Sequence, residues 1–333
     1  MKYSLAIDFG SVYTSIYKAG SGLVLKEPTL ICVKHKDGEY QIVSMGEDAK
    51  KMQGKTDENT YIFSPISEGK IKSFEYAEVL INYFLDKVKV NKILKQNAIV
   101  CVNLSLDFDE KAEFLKLFSK TKLEKVSLVP SIITAAEISG NSINTPKTIF
   151  HVDFGGTTTQ LALINMNSII KGVSLNLGGR NLDISIANMV ADKYQTIISL
   201  ASAQKLKEEI SSLYENDTQS YEVLGVDEAT GRPKRCLIFT EEIKNIIQPL
   251  LNQICLSIET AINSCAPEIA ADIISSGITV SGGVTNILGF KKYLTKRLDI
   301  DVNVIQDAED ATIFGAGRLL TNPKDLNDII AKF

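Results

Sequence analysis

Two rhythms of apolar positions run along this chain. Ala98-Ile99-Val100-Cys101-Val102 is a short unbroken apolar run, the signature of a strand covered on both faces. On either side of it, Phe74 to Val90 and Asp109 to Phe118 carry apolar residues at three- and four-residue intervals and predict helices. Asn181 to Tyr194 reads as an N-capped helix after a Gly178-Gly179 turn, and Ala203 to Leu213 as another. Glu241 to Cys265 is a long helical pattern that Pro249 either kinks or truly starts. Gly277 to Gly283 reads as a strand entering a Gly-Gly turn. Ile287, Leu288, Phe290, Leu294 and Leu298 then mark a helix. Strands alternating with helices make this an α/β chain. The polar stretch from Asn216 to Arg235, with Gly225, Gly231 and Pro233, reads as strands and loops of a small subdomain. Gly315-Ala316-Gly317 lies in the last helical region, where small residues permit close helix packing.

The pattern contains a repeat. Residues 7–14 read Ile-Asp-Phe-Gly-Ser-Val-Tyr-Thr, and residues 152–159 read Val-Asp-Phe-Gly-Gly-Thr-Thr-Thr. Each Asp-Phe-Gly ends an apolar run, passes through small or hydroxyl residues and enters a second β-like run. The same strand–turn–strand unit near the start of each half predicts two halves of similar topology.

Such turns suit a polyphosphate. Gly10, Gly155 and Gly156 let a backbone approach a ligand closely. Successive turn N–H groups make an anion-binding concavity, and Ser11, Thr14, Thr157, Thr158 and Thr159 add hydroxyls. Asp8 and Asp153, at strand ends, can hold a hydrated Mg²⁺ beside the phosphates. The Gly282-Gly283 turn can admit a base or ribose against bare backbone, although a packing turn would read the same way. Two ordinary tight hairpins would also produce the repeat, but a matched pair favours a clamp between two domains.

Composition narrows the field. At 333 residues, 44% hydrophobic and 23% charged, the chain has the make-up of a soluble globular protein large enough for two lobes. A net charge of −4 supplies no general attraction to nucleic acid. Cys32, Cys101, Cys236, Cys255 and Cys265 are scattered without metal-ligand spacing and read as reduced core residues of a cytosolic protein. His35 and His151 are the only histidines, too few for a histidine metal site. Met1-Lys2-Tyr3 leads straight into a strand-like run, so no signal peptide is expected, and no apolar stretch is long enough to span a bilayer.

These residues carry a family resemblance. The paired hairpins and the late Gly-Gly turn resemble the motifs of the actin, Hsp70 and sugar-kinase superfamily, and the finer match is to the MreB family of bacterial actin-like proteins. Gly22-Leu23-Val24-Leu25-Lys26-Glu27-Pro28-Thr29 resembles that family's Gly-Ile-Val-Leu-Asn-Glu-Pro-Ser segment. Ser64 to Ile71 resembles its Pro-Met-Lys-Asp-Gly-Val-Ile, and Leu177-Gly178-Gly179 with Asp183, Ala203 to Ile210 and Pro267 to Ile273 also fall in register. The resemblance runs from about Ser4 to Leu320. It implies an actin-like fold of ribonuclease H-like duplicated domains, with a nucleotide cleft between two lobes. The expected first lobe is 1–145 with 315–333 and a small subdomain near 33–65. The second is 146–314, with a small subdomain near 186–239. It implies a cytoplasmic protein that binds ATP with Mg²⁺ and polymerises into filaments, alone or with paralogous filament proteins, on the inner face of the membrane. By position, Gly10, Ser11, Val12, Tyr13 and Thr14 form the first phosphate loop, and Gly155, Gly156, Thr157 and Thr158 the second. Gln204 and Lys207 flank the adenosine on one side, with Gly282, Gly283 and Val284 on the other. A solvated helix face remains the other reading of Lys207.

The departures from the family pattern matter equally. Tyr13 stands where the family has Asn, Thr157 and Val284 where it has a third Gly, and Gln204 where it has Glu. Pro130 and Ser131 occupy the Glu-Glu positions that help to activate the attacking water. Losing such a carboxylate typically costs about 10²–10⁴-fold, so hydrolysis is expected to be slow. Glu137 lies close to two turns further along and is not expected to substitute. A small-molecule kinase or a nucleotide-binding assembly protein of the same superfold are the alternatives. The kinase would need a catalytic Asp and a sugar pocket, for which no motif is found. Lys92-Ile93-Leu94-Lys95 suits either insertion of Ile93 and Leu94 among anionic headgroups or a helix C-terminus with both packed inward.

Overall fold

A computed structural model describes residues 3–90 and 96–333. The first hairpin is β1 (Leu5–Phe9) and β2 (Tyr13–Lys18), extended by β3 (Gly22–Pro28). A small sheet in the order β5-β4-β6 follows, from β4 (Ile31–Lys36), β5 (Glu39–Met45) and β6 (Thr60–Phe63), with α1 (Glu47–Met52) between the last two. The short hairpin β7 (Ile66–Ser67) and β8 (Lys70–Ile71) leads to α2 (Phe74–Lys87). Next come β9 (Asn97–Val102), α3 (Phe108–Ser119), β10 (Lys125–Pro130) and α4 (Ser131–Glu137).

The second half restarts with β11 (Ile149–Phe154), β12 (Thr159–Asn165) and β13 (Ser168–Leu175). It continues through α5 (Gly179–Tyr194), β14 (Thr196–Ile197), α6 (Leu200–Ile210), β15 (Ser220–Asp227) and β16 (Pro233–Phe239). Then come α7 (Thr240–Asn263), α8 (Pro267–Ser276), β17 (Ile278–Ser281), α9 (Phe290–Leu298), β18 (Val302–Val304), α10 (Ala311–Leu319) and α11 (Pro323–Lys332).

The two main sheets have one topology. The first is ordered β10-β9-β1-β2-β3 and the second β18-β17-β11-β12-β13, each with an antiparallel meander on one side of the leading strand and parallel strands on the other. The registers agree as well: Phe9 pairs Thr14 and Asp8 pairs Ser15, as Phe154 pairs Thr159 and Asp153 pairs Gln160. The repeated unit in the sequence is therefore a repeated unit in space.

Burial explains the continuous apolar runs. Leu5, Ile7 and Val100 face one core with Leu80, Ile81, Phe84 and Phe118 from α2 and α3. Their neighbours Ala6, Ile99 and Val129 face a second core with Ile133 of α4 and Ile313 and Ala316 of α10. Each such valine, leucine, isoleucine or phenylalanine side chain contributes about 1.5–3 kcal/mol by leaving water, and each alanine less. Gly315 permits the α4–α10 crossing, since a Cβ there would lie 1.7 Å from the Thr134 carbonyl oxygen.

Helix starts are where the pattern was least informative. The Asn181 side chain serves α5 from inside the helix, its Oδ1 accepting the Gly178 N–H at 2.9 Å, and the helix begins at Gly179. Ser199 caps α6, its Oγ accepting the Ser202 N–H at 3.1 Å, so that helix begins at Leu200. α7 starts at Thr240 and runs through Pro249, because Ile243, Ile247, Leu251, Ile254 and Ile258 bury one continuous face on both sides of the proline.

Candidate functional site

The two Asp-Phe-Gly turns meet tip to tip. Gly10 N–H bonds the Tyr13 carbonyl at 3.1 Å, and Gly155 N–H bonds the Thr158 carbonyl at 3.0 Å, so the turns close identically. A Cβ on Gly156 would fall 2.2 Å from Val12 Cγ2, and the Thr157 hydroxyl donates to Ser11 Oγ at 2.9 Å. The start of α5 then sets the direction of the second turn. Gly179 and Arg180 donate their N–H groups to the Gly155 and Gly156 carbonyls at 3.1 and 2.7 Å. Because a trans peptide points its C=O and N–H in opposite directions, the N–H groups of Gly156 and Thr157 are turned away from α5. Among the described residues, the N–H groups of Ser11, Val12, Gly156, Thr157 and Thr158 have no protein acceptor. Such a set of free turn N–H groups is chemically suited to phosphate oxygens.

Asp8 and Asp153 stand at the base of these turns. Asp8 is pushed up to about 7, first by burial and then by the charges of Asp153 and Asp310. Burial also raises Asp153, while the Ser281 hydroxyl, donating to its Oδ1 at 2.7 Å, opposes that shift. Both carboxyls keep some exposure, so the burial penalty comes from the close walls of the groove rather than from full removal from water, and like charge adds to it at Asp8. Carboxyls that burial, and at Asp8 like charge, hold back from ionising are relieved by a hard cation such as Mg²⁺, so the two carboxyls with water and phosphate oxygens fit that ion. Ser281 is itself steadied by His151, whose Nε2 lies 2.9 Å from its Oγ and whose Nδ1 lies 2.8 Å from Thr279 Oγ1. Burial lowers His151 to about 3, which keeps the ring neutral.

The other predicted residues separate into two groups. Lys207 folds back within the second half, 2.7 Å from Asp183 Oδ1 and 3.0 Å from the Gly179 carbonyl oxygen; it is not a solvated helix face. A Cβ on Gly179 would meet Lys207 Nζ at 3.3 Å and Val284 Cγ2 at 3.7 Å, so α6 and the late Gly-Gly turn converge on the same backbone. Gly282 there takes φ 92°, with its N–H on the Ala308 carbonyl at 2.7 Å. Gln204 points along α6 to Glu208, 2.8 Å away. Thr14 is fully buried and its hydroxyl is bonded to that of Thr29 at 2.8 Å. Glu137 pairs with Arg318 at 3.2 Å in the α4–α10 contact. Ile93 and Leu94 lie outside the described residues.

Several site neighbours had no sequence signal. Lys26 of β3 reaches Glu309 and Asp310 at 2.7 and 2.8 Å, tying the first half to the segment before α10. Tyr13 lies between Lys26 and Lys50, each ammonium 5.2 Å from its ring centre, and its hydroxyl accepts from Lys50 at 2.9 Å. Glu68 N–H reaches Thr157 Oγ1 at 3.1 Å, and Asn103 Nδ2 reaches Thr158 Oγ1 at 3.3 Å. Tyr13 is expected in the first phosphate loop, but its place between two lysines, like the carboxyl of Glu309, was readable only once the partners were known. A cavity of about 1080 Å³ beside α9, lined by Tyr214, Lys244, Gln248 and Tyr293, contains none of the predicted ligand residues.

Comparison with known proteins agrees with this architecture. The sequence model of the MreB/Mbl protein family matches residues 2–328. The chain is 29% identical over 321 residues to the cell shape-determining protein MreB of Escherichia coli strain K12, covering 95% of this chain and 92% of that protein. It is 26% identical over 320 residues to the cell shape-determining protein Mbl of Bacillus subtilis strain 168, covering 96% of each. Among solved structures, MreB 5 of Spiroplasma citri bound to AMPPNP superposes with a TM-score of 0.90 at 25% identity, over 97% of this chain and 98% of that one. A MamK double helical filament superposes at 0.78 and 20% identity, covering 95% of this chain and 98% of that one, which shows the shared actin-like fold.

Proposed function

The chain belongs to the MreB/Mbl protein family, and from that premise we propose that it binds ATP with Mg²⁺ between the two hairpins and polymerises into filaments that contribute to cell shape or motility. The single observation that carries the nucleotide reading is the tip-to-tip meeting of two turns with free N–H groups above paired carboxylates. The AMPPNP-bound and ADP-bound structures of Spiroplasma citri MreB 5 support it. Ser11, Val12, Gly156 and Thr157 would receive the phosphates on backbone N–H groups. Asp8 and Asp153 would hold the hydrated cation, which supplies charge neutralisation for the phosphates. Lys207, Gly282, Gly283 and Val284 would flank the nucleoside.

Filament formation rests on the family and on full-length similarity to cell shape-determining relatives. The working division is into lobes 1–145 with 315–333 and 146–314, which the duplicated sheet topology favours. The expected setting is cytoplasmic, with self-association or assembly with paralogues and peripheral membrane contact through Ile93 and Leu94. No helix among the described residues is long and apolar enough to cross a membrane. Calorimetry of Mg-ATP with the unmodified protein and Asp153→Ala tests the site: binding should weaken strongly, and equal affinity would remove it. Pelleting and electron microscopy with ATP test assembly. A chain that stays monomeric across salt, magnesium and lipid conditions would favour a kinase or binding-module role.

A further inference from the structure

Pro130 and Ser131 leave the floor of the groove without the expected carboxylates, yet that floor is highly organised. Ser131 directly follows the C-terminal end of β10, where strand ends of an α/β sheet face a ligand crevice. The row containing Asp8, Cys101 and Val129 lies two positions below it. Opposite, Gln160 is the register partner of Asp153. Its Oε1 accepts the Leu104 N–H at 3.0 Å, and its Nε2 donates to Ser131 Oγ at 2.8 Å. Both side chains are nearly buried, at 5% and 8% exposure.

The Leu104 N–H can only donate, so the amide oxygen must face it and the NH₂ must face Ser131. Ser131 Oγ therefore has one lone pair engaged and keeps a second lone pair and its own proton. A water that donates to that second lone pair has its own lone pair free to attack.

We propose that Gln160, acting through the Ser131 hydroxyl, is the positioning residue for the water that attacks the terminal phosphate, so that a neutral amide–hydroxyl pair orients water here without deprotonating it. This rests on the ATP reading above. In the step, the water oxygen forms the bond to the γ-phosphorus. The bond from that phosphorus to the bridging oxygen breaks, its electron pair leaving with the nucleoside diphosphate. The water proton passes to a phosphate oxygen, because neither an amide nor a hydroxyl accepts it. Orientation without a base makes hydrolysis slow but not absent.

Single-turnover phosphate release and the affinity for a non-hydrolysable ATP analogue, measured on the full chain, test the pair. Gln160→Ala and Ser131→Ala should each slow release about tenfold or more while affinity stays within about threefold. The double variant should be no slower than either single one, because the two groups act as a unit. Gln160→Glu keeps both contacts, one oxygen accepting from Leu104 and the other from the Ser131 hydroxyl, and should speed release by adding a base. It also carries the test if the alanine variants fail to fold. If the pair only ties the halves together, affinity and melting temperature fall in step with rate and Gln160→Glu gives no gain; that result overturns the proposal. Release no faster than in protein-free buffer overturns it too. Failure of the unmodified protein to bind ATP at all is a different outcome, and it removes the nucleotide reading itself.

Discussion

Substituting Gly156 by Ala should separate the two hairpins at their contact. Gly156 is not at positive φ, so alanine is tolerated by the local backbone and the conflict is steric. The added Cβ would lie 2.2 Å from Val12 Cγ2 and 3.2 Å from Val12 Cβ. Carbon atoms rest about 3.5–4.0 Å apart, so the first contact must open by roughly 1.3 Å or more. Rotating Val12 moves Cγ2, but its χ1 is restricted by β-branching and the Cβ contact remains. Overpacking of this kind costs about 1–3 kcal/mol. Because the strain falls on turns that must both face one ligand, it should appear as a roughly 5- to 150-fold weaker Kd for Mg-ATP. Val12→Ala removes Cγ2 and leaves only the tight 3.2 Å contact, so the double variant should recover most of the loss. Calorimetry on the four proteins of this cycle should show a coupling of about 0.5–3 kcal/mol. Wild-type affinity in Gly156→Ala, or strictly additive effects, would refute the claim that Val12 and Gly156 define the width of the clamp.

Asp8→Asn should reveal a pH-linked cost in the magnesium-free protein. The folded pKa of Asp8 is raised from 3.8 to about 7, so its contribution is fully present below 3.8 and is lost as pH rises through 7. The full shift corresponds to about 4 kcal/mol, and partial exposure reduces the expected gain at pH 8 to about 1–2 kcal/mol. The melting-temperature advantage of the variant should therefore widen between pH 5 and pH 8, and a constant difference would contradict the assignment. Ser131→Glu should raise phosphate release about 10–100-fold with little change in affinity. An unmodified protein that already hydrolyses as fast as relatives with the full Glu-Glu-Pro motif would show that another group supplies the base. Gly282→Ala places a Cβ 2.1 Å from the Phe154 carbonyl oxygen in a region nearly reserved for glycine, with φ 92° and ψ 159°. It should lower the melting temperature by roughly 5–10 °C, well beyond Gly231→Ala, which shares positive φ but meets nothing within 4 Å; equal losses would mean that Gly282 is not packed on Phe154.

What sequence alone determined was local. An apolar run ending in Asp-Phe-Gly and entering small, hydroxyl-bearing residues specifies a strand and a tight turn, because turn sterics act over a few residues. Two copies at corresponding places were enough to predict duplicated topology, and the matching registers of Asp8 and Asp153 agree with it. The apolar pattern located α2, α3 and β9, and the small residues at Gly315 to Gly317 signalled a close helix contact whose partner, α4, only the structure shows. Period could not locate helix starts such as Leu200, where a single Ser199 hydroxyl decides the boundary. Partners remained beyond reach. Lys26 with Glu309, Thr157 with Ser11, Ser131 with Gln160 and Ser281 with Asp153 join residues far apart in the chain. Each is an ordinary polar residue in its own neighbourhood. Strand pairing within the second sheet puts Ser281 beside Asp153, and the approach of the two halves brings the other pairs within hydrogen-bonding distance, so the tertiary structure alone decided which N–H groups stay free and what lies on the floor between the turns.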